Sequence, residues 1–150
     1  MAAGVDTETA QRLRMVFGQL ARRLRPTAAG LAADLTPTRV AVLLNTVRNG
    51  PIRLAEVADQ EGLNPTLLSR TVANLAQDGL VTRTVDETDR RSAWLDATPA
   101  GRELAERIRA QRTHAVQAAL EELSPEDRTL VEAALPALEQ LAQRLHEGGR

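Results

Sequence analysis

Apolar residues recur every three or four positions along several stretches of the chain, and this spacing predicts amphipathic helices. In the first stretch the repeat runs through Leu13, Phe17, Leu20 and Leu24. The predicted helices are residues 6–25, 37–48, 54–61, 65–78, 99–122 and 125–146. Two shorter runs, 80–85 and 92–97, are predicted to be β-strands on either side of a charged loop. The pattern therefore predicts a mainly α protein with a small β-hairpin.

Helix starts are marked four times by a capping residue directly before a proline. The oxygen of Thr, Asn or Ser accepts a hydrogen bond from the first helical turn, and proline at the first helical position loses no hydrogen bond. Gly62 and Gly79 are predicted to end the helices at 54–61 and 65–78. The four predicted starts are Thr36-Pro37, Asn64-Pro65, Thr98-Pro99 and Ser124-Pro125.

The middle of the chain has the order of a winged helix-turn-helix. A short helix, a tight Gly-Leu-Asn turn and a second helix are followed directly by the β-hairpin. The second helix turns short hydrogen-bonding groups and one bidentate donor away from its apolar stripe, which suits base edges in a DNA major groove. The competing interpretation is a solvated helix face, and the turn and hairpin favour DNA. The candidate major-groove residues are Asn64, Thr66, Ser69, Arg70 and Asn74.

Composition narrows the functional classes. Hydrophobic residues make up 43% and aromatic residues 1%, so the core is expected to be aliphatic. The chain also lacks the aromatic side chains on which proteins that bind single-stranded nucleic acid stack the bases. There is no Cys, which excludes thiolate catalysis and thiol redox control. No catalytic triad or phosphate-binding glycine loop appears, so an enzyme is not expected. His114 and His146 lie on different predicted helices, and neither a metal site nor a cofactor is predicted.

Charge leaves a second class of function open. The net charge is -1, and residues 36–98 carry seven Arg against eight acids. DNA-binding domains are usually basic, so a winged-helix protein–protein interaction module without DNA binding is the alternative. No signal peptide and no bilayer-spanning apolar run appear, and the protein is expected in the cytoplasm, with no membrane partner.

Residues 54–104 resemble the core of the MarR family of bacterial transcription regulators. The resemblance extends over roughly residues 10–145, because the flanking helices match in order and length. It implies one domain over 1–150, with a winged helix-turn-helix lobe at 36–98 and a helical dimerisation lobe at 6–35 plus 99–146. Such proteins are homodimers on pseudo-palindromic operators, mostly repressors released by small aromatic or anionic effectors. The matching elements are Leu54-Ala55-Glu56-Val57-Ala58, Ser69-Arg70, Leu75, Gly79-Leu80-Val81-Thr82-Arg83, Asp89-Arg90-Arg91 and Thr98-Pro99-Ala100-Gly101.

The resemblance also implies a role for the charged tip of the hairpin. By the family pattern Arg91 is the residue that enters the minor groove, where narrow A·T-rich sequence attracts Arg. Asp89 would hold that guanidinium extended, and Arg90 would contact a phosphate or pair with a nearby acid. The alternative is an exposed ion-pair cluster of little energetic value.

Further expected contacts are with DNA phosphates, with a small effector and with a second subunit. Thr36, Arg39 and Arg83 are expected phosphate contacts, although ordinary surface positions explain the two arginines equally well. Phe17 and Leu44 are expected pocket walls for a small, largely apolar effector with an anionic group, although both are equally well explained as core residues. The apolar stripes at both ends of the chain exceed what one winged-helix core covers, and a two-fold dimer would bury them.

Overall fold

The computed structural model describes residues 6–89 and 92–147, which form helices and one small antiparallel sheet. The strand order is β1-β3-β2, and β2 pairs with β3 from Val81 opposite Ala97 to Val85 opposite Ala93. The predicted fold class is confirmed. In chain order the elements are α1 (Thr7–Leu24), α2 (Ala28–Ala32), α3 (Pro37–Asn49), β1 (Ile52–Arg53), α4 (Leu54–Glu61), α5 (Pro65–Gln77), β2 (Val81–Val85), β3 (Ala93–Ala97), α6 (Pro99–Glu121) and α7 (Pro125–Glu147).

Side-chain capping confirms all four predicted helix starts. In each case the cap oxygen accepts from a backbone N–H three residues later, which satisfies a donor that the helix leaves free. Gly62 and Gly79 have φ of 62° and 72°, a left-handed conformation that favours glycine, and they end α4 and α5 as predicted. The acceptors are Thr36 Oγ1 at 3.3 Å, Asn64 Oδ1 at 2.8 Å, Thr98 Oγ1 at 3.0 Å and Ser124 Oγ at 3.0 Å.

Two elements, α2 and β1, were not predicted. Helix α2 is little more than one turn of small residues, and it begins where the Gly30 N–H donates to Thr27 Oγ1 at 3.1 Å. Strand β1 has two residues, and Ile52 lies opposite Leu95 of β3, which makes the hairpin a three-stranded sheet. Both elements are too short to show a helical or alternating pattern.

The chain divides into two compact units, Met1–Arg112 and Thr113–Arg150, and α6 begins in the first and ends in the second. The first unit contains the aliphatic core, built mainly by α3, α5 and the sheet with the first turns of α6. Helix α1 buries none of its residues and exposes Met15, Val16, Phe17 and Leu20. The largest fully buried side chains of the core include Leu43, Leu75, Leu95 and Ile108.

The second unit consists of the end of α6 and the whole of α7. Arg128 donates from Nε to the Leu120 carbonyl and from Nη2 to the Glu121 carbonyl, both at 3.1 Å. These bonds satisfy carbonyls in the last turn of α6. Helix α7 exposes Leu130, Val131, Leu135 and Leu145. No helix in the described part of the chain is long and apolar enough to cross a membrane.

The Thr-Pro-Ala-Gly segment joins the start of α6 to the end of α5. The Thr98 hydroxyl donates to the Gly79 carbonyl at 2.6 Å, and the Thr98 N–H donates to the Leu80 carbonyl at 3.1 Å. This junction brings Gly101 so close to the Leu80 backbone that an added Cβ would collide with the carbonyl oxygen. Glycine is therefore required here by close approach.

We expect Gly101→Ala to destabilise the protein by about 1–3 kcal/mol or more, because the methyl group must displace backbone in a packed junction. Urea unfolding measures this change. Gly18→Ala is the matched control, because its Cβ would meet only the end of the Arg22 side chain at 3.5 Å. It should stabilise α1 by up to about 1 kcal/mol. Equal effects of the two substitutions would contradict the proposed collision.

Candidate nucleic-acid interface

The helix-turn-helix consists of α4 and α5 joined by a turn at residues 62–64. The Leu63 N–H donates to the Ala58 carbonyl at 2.9 Å, and the left-handed Gly62 turns the chain away from α4. Asn64 Oδ1 then accepts from the Leu67 N–H at 2.8 Å and begins α5. Asn64, a predicted groove contact, thus uses one side-chain oxygen to fix the start of the helix that carries the others.

Helix α5 buries one side and exposes the other. At 3.6 residues per turn, Thr66 and Arg70 lie opposite the buried side, with Ser69 and Asn74 on the two flanks. Thr66, Ser69 and Arg70 are exposed, and Asn74 is half-buried. The structure therefore brings these four predicted residues onto one surface. The buried side is formed by Leu68, Thr71, Val72 and Leu75.

Three further α5 residues share this surface and were missed by sequence reasoning: Leu67, Ala73 and Gln77. All three are exposed. The prediction considered hydrogen-bonding side chains near the start of the helix, so it passed over the two apolar residues and the last turn. Helical spacing alone places Ala73 and Gln77 in line with Thr66 and Arg70, and that signal was available in the sequence.

The arginines around this surface differ in their partners. Arg39 Nη1 lies 3.9 Å from Asp78 Oδ2 and donates to the Asp34 carbonyl at 3.5 Å. Arg70 and Arg83 are exposed, and neither forms a hydrogen bond or ion pair within residues 6–89 and 92–147. Thr36, the other predicted phosphate contact, is exposed and caps α3. Within the described part of the chain, Arg70 and Arg83 are therefore available to an external anion.

The hairpin of β2 and β3 carries the charged loop predicted to enter the minor groove. Arg90 and Arg91 lie outside the described residues. The Asp89 carboxylate accepts from Ser92 Oγ at 2.9 Å, and its carbonyl accepts from the Ser92 N–H at 2.8 Å. These bonds link Asp89 to Ser92 across the gap at residues 90 and 91.

Asp86 is the main hydrogen-bond acceptor at the base of this loop. Its Oδ1 accepts from Thr88 Oγ1 at 2.6 Å and from the Thr88 N–H at 2.9 Å, and its Oδ2 accepts from Trp94 Nε1 at 3.1 Å. The Thr88 hydroxyl, the Thr88 N–H and the Trp94 indole lower the pKa of Asp86 from 3.8 to about 2. Because these hydrogen bonds outweigh the opposing effect of burial, an ionised carboxylate organises the loop.

Arg53 links this loop to the helix-turn-helix. It is the last residue of β1 and stands directly before α4. Its guanidinium carbon lies 5.0 Å from the Trp94 ring centroid, within cation–π range. Its Nη2 lies 3.5 Å from Asp86 Oδ2. Sequence reasoning missed this Arg53–Trp94–Asp86 cluster, although the position of the chain's single Trp beside the charged loop was a signal.

A cleft of about 550 Å³ lies in the first unit. Arg112 Nη2 donates to the Arg25 carbonyl at 3.5 Å, while its buried Nε has no hydrogen-bond partner among the described residues. Burial lowers the pKa of the Arg112 guanidinium. An unpaired donor on a cation suits a ligand with an anionic group. The cleft is lined by Ala21, Leu24, Arg25, Pro37, Thr38, Ala41, Glu61, Leu63 and Arg112.

The predicted pocket walls lie elsewhere. Phe17 is exposed on α1, and Leu44 packs against the core; neither lines this cleft. His114 is exposed on α6. Across residues 6–89 and 92–147 no group of three or more His, Cys, Asp and Glu could hold a metal ion.

A polar network connects the cleft with α4. Asn45 of α3 is buried, and its Nδ2 donates to Glu61 at 2.7 Å and to Gln60 at 2.9 Å. Asn49 donates to Asn45 Oδ1 at 3.1 Å. Glu61 therefore both lines the cleft and takes part in the contact between α3 and the first helix of the helix-turn-helix.

Comparison with known proteins agrees with this geometry. A family model for the MarR family matches residues 33–92, which span the helix-turn-helix and the charged loop. The uncharacterized HTH-type transcriptional regulator YwhA of Bacillus subtilis (strain 168) is 25% identical over 93 residues, which are 62% of this chain and 67% of that protein.

Solved structures share the fold over nearly the whole chain. RV1404 from Mycobacterium tuberculosis gives a TM-score of 0.78 at 21% identity, covering 94% of this chain and 97% of that one. NadR, solved in complex with 4-hydroxyphenylacetate, gives a TM-score of 0.64 at 22% identity, covering 92% of this chain and 96% of that one.

We expect the Trp94 indole N–H resonance to stay unchanged as the pH falls from 6 to about 3, because Asp86 remains ionised. The Asp86 pKa is lower in the folded protein than its ordinary 3.8, so its stabilising effect is present above about pH 4 and is lost as the pH falls through about 2. NMR follows this single signal, and Asp86→Asn is the control that lacks the titration. A midpoint near pH 3.8 would contradict the described cluster.

Proposed function

We propose that this chain, which belongs to the MarR family of winged-helix transcription regulators, represses transcription in the bacterial cytoplasm as a homodimer on a pseudo-palindromic operator. Members of this family are transcription factors and not enzymes. The observation that carries the proposal is the exposed surface of α5, where Arg70 has no intramolecular partner among the described residues.

Major-groove binding is supported by the chemistry of this surface. Arg70 presents a planar bidentate donor, the geometry that recognises guanine O6 and N7. Thr66 and Ser69 present hydroxyl groups nearby on the same helix. Arg83, exposed on β2 and likewise free, suits a phosphate. Arg39 suits this role less, because its charge is partly satisfied by Asp78.

Minor-groove binding by Arg91 remains a prediction from the sequence. It is supported by the bonds that fix the base of the loop, since Asp86 and Arg53 connect it with the start of α4. These bonds hold the base of the loop close to the start of α4, which favours a fixed position of the wing beside the helix-turn-helix. In this proposal Asp89 orients Arg91, and Arg90 contacts a phosphate.

A homodimer is supported by the apolar side chains that α1 and α7 expose. Met15, Val16 and Leu20 on α1 are each about half exposed, and Leu130 and Leu145 on α7 are each 67% exposed. Exposed apolar stripes of this length are typical of protein interfaces. An isologous dimer would bury them and set two α5 helices about 34–36 Å apart, one DNA turn.

An anionic effector is supported by the cleft beside Arg112. The Arg112 guanidinium lines this cleft as a cation, and Glu61 offers a hydrogen-bond acceptor on the same cleft. NadR, which shares the fold, was solved with 4-hydroxyphenylacetate, a carboxylate that also carries a hydroxyl. We propose a ligand of this class for the cleft, with release of DNA as its effect.

The alternative, a winged helix that binds a protein and not DNA, is favoured by the near-neutral charge of residues 36–98. Ion pairs account for part of that balance. The pairs are Arg39 with Asp78, Arg53 with Asp86 and Arg102 with Asp96. Only the Arg102 pair changes the balance, by one charge, because Arg39 and Arg53 themselves belong to residues 36–98. Binding to a selected duplex separates the two functions.

We expect the purified protein to select a two-fold symmetric duplex from a randomised pool and to scatter light as a dimer, at twice the 16.3 kDa of one chain. Arg70→Ala should cost about 1–3 kcal/mol of binding and relax preference at one base pair per half-site. If Arg70 contacts a phosphate instead, the loss is equal on all sequences and the salt dependence becomes shallower.

In the same titration Arg91→Ala should weaken binding mainly to operators flanked by A·T pairs. Arg107→Ala is the control, because this exposed α6 residue is paired with Glu103 within its own helix. A stable monomer, or a protein that selects no duplex, would overturn the proposed function in favour of the interaction module.

We expect 4-hydroxyphenylacetate to bind the protein and to lower its affinity for the selected duplex. The neutral amide of the same compound should have neither effect. Arg112→Met should reduce carboxylate affinity by about 1.5–3 kcal/mol, the value of a charge-assisted hydrogen bond. Calorimetry measures both ligands. Arg109→Met is the control on the same helix, since Arg109 is paired with Glu106 at 2.8 Å. Equal affinities for acid and amide would contradict the anionic site.

A further inference from the structure

Leu67 is an apolar side chain on a surface otherwise suited to polar recognition. It lies in the first turn of α5 and is 41% exposed. A single exposed leucine is ordinary on a protein surface, and it is the position on α5 that distinguishes Leu67. Leu67 precedes Arg70 by three residues and Asn74 by seven, and residues at these spacings follow one stripe of a helix. The stripe leads from Leu67 to the free guanidinium of Arg70.

The start of α5 also fixes the direction of Leu67. The Leu67 N–H donates to Asn64 Oδ1 at 2.8 Å, and Leu68 next to it is 2% exposed. The cap and the buried neighbour hold the backbone of this turn in place. In helix-turn-helix proteins the residues near the start of the second helix are those that reach base edges.

The major groove offers one apolar group to such a side chain, the 5-methyl of thymine. Every other base edge there presents hydrogen-bonding atoms, and a leucine over those atoms would leave them without a partner. We propose that Leu67 is a specificity-determining residue that contacts a thymine methyl beside the base pair read by Arg70. This inference rests on the proposed DNA binding and adds a base preference to it.

Deoxyuridine tests this contact, because it pairs like thymidine and lacks only the methyl group. Each thymine of one half-site of the selected duplex is replaced singly, and affinities are compared for wild type and Leu67→Ala. Burial of one methyl group corresponds to about fourfold in affinity. Wild type should lose about that factor at one position next to the Arg70 site, and Leu67→Ala should show no loss there.

Two matched variants separate the contact from a general effect. Leu67→Met keeps an apolar side chain and should retain the sensitivity to deoxyuridine. Leu31→Ala removes a leucine outside α5 that is 69% exposed, and it should also retain that sensitivity. A cytosine at the same position should weaken wild-type binding, and 5-methylcytosine should restore part of it.

The outcomes are distinguishable. If wild type selects a duplex but no thymine position depends on Leu67, this inference is overturned and the proposed function stands. If Leu67→Ala keeps the full sensitivity to deoxyuridine, the methyl is read by another residue and the inference is likewise overturned. If wild type binds no duplex, both are overturned.

Discussion

Burial of one side of α5 is the constraint on which the candidate interface depends. Leu68, Val72 and Leu75 are at most 2% exposed, and α5 packs against α3 and β2. Burying each of these side chains contributes about 1.5–3 kcal/mol, so a rotation of α5 by one residue would expose the stripe at large cost. The outward direction of Thr66 and Arg70 is therefore set from the opposite side of the helix. Arg70 can remain without a partner because the core holds α5 in place.

The wing is held by a different kind of interaction. Strand β3 buries only Ala93, Leu95 and Ala97, on one face. At the base of the charged loop, orientation depends on directional bonds to Asp86 and on the contact of Arg53 with Trp94. Such contacts depend on the ionisation of a carboxylate and are screened by salt more than apolar burial is. The two elements proposed to contact DNA should thus respond differently to solution conditions: the position of α5 should change little, and that of the wing more.

Periodicity and capping residues predicted most helices, because each signal lies within a few residues along the chain. The Arg53–Trp94–Asp86 cluster could not be predicted in this way, since its members come from β1, a loop and β3 and meet only through strand pairing. The cleft is similarly built from α1, α3, α4 and α6. For Phe17 the apolar stripe predicted an amphipathic helix, but the stripe could not show whether its own chain or another covers it. Arg39 and Arg70 look alike in sequence, and only the fold gives one of them a carboxylate.

One carboxylate connects the proposed effector site with the first helix of the helix-turn-helix. Glu61 is the last residue of α4, lines the cleft beside Leu63 and accepts from the buried Asn45. A ligand that donates a hydrogen bond to Glu61 competes with Asn45, and a buried amide that loses its partner has a free-energy cost. That cost falls on the contact between α3 and α4. Glu61, which makes this contact, stands three residues before Asn64, the cap that begins α5. A ligand shifts a conformational equilibrium only through different affinities for its states. Here the ligand's affinities for the two states would differ because the ligand and Asn45 require the same carboxylate.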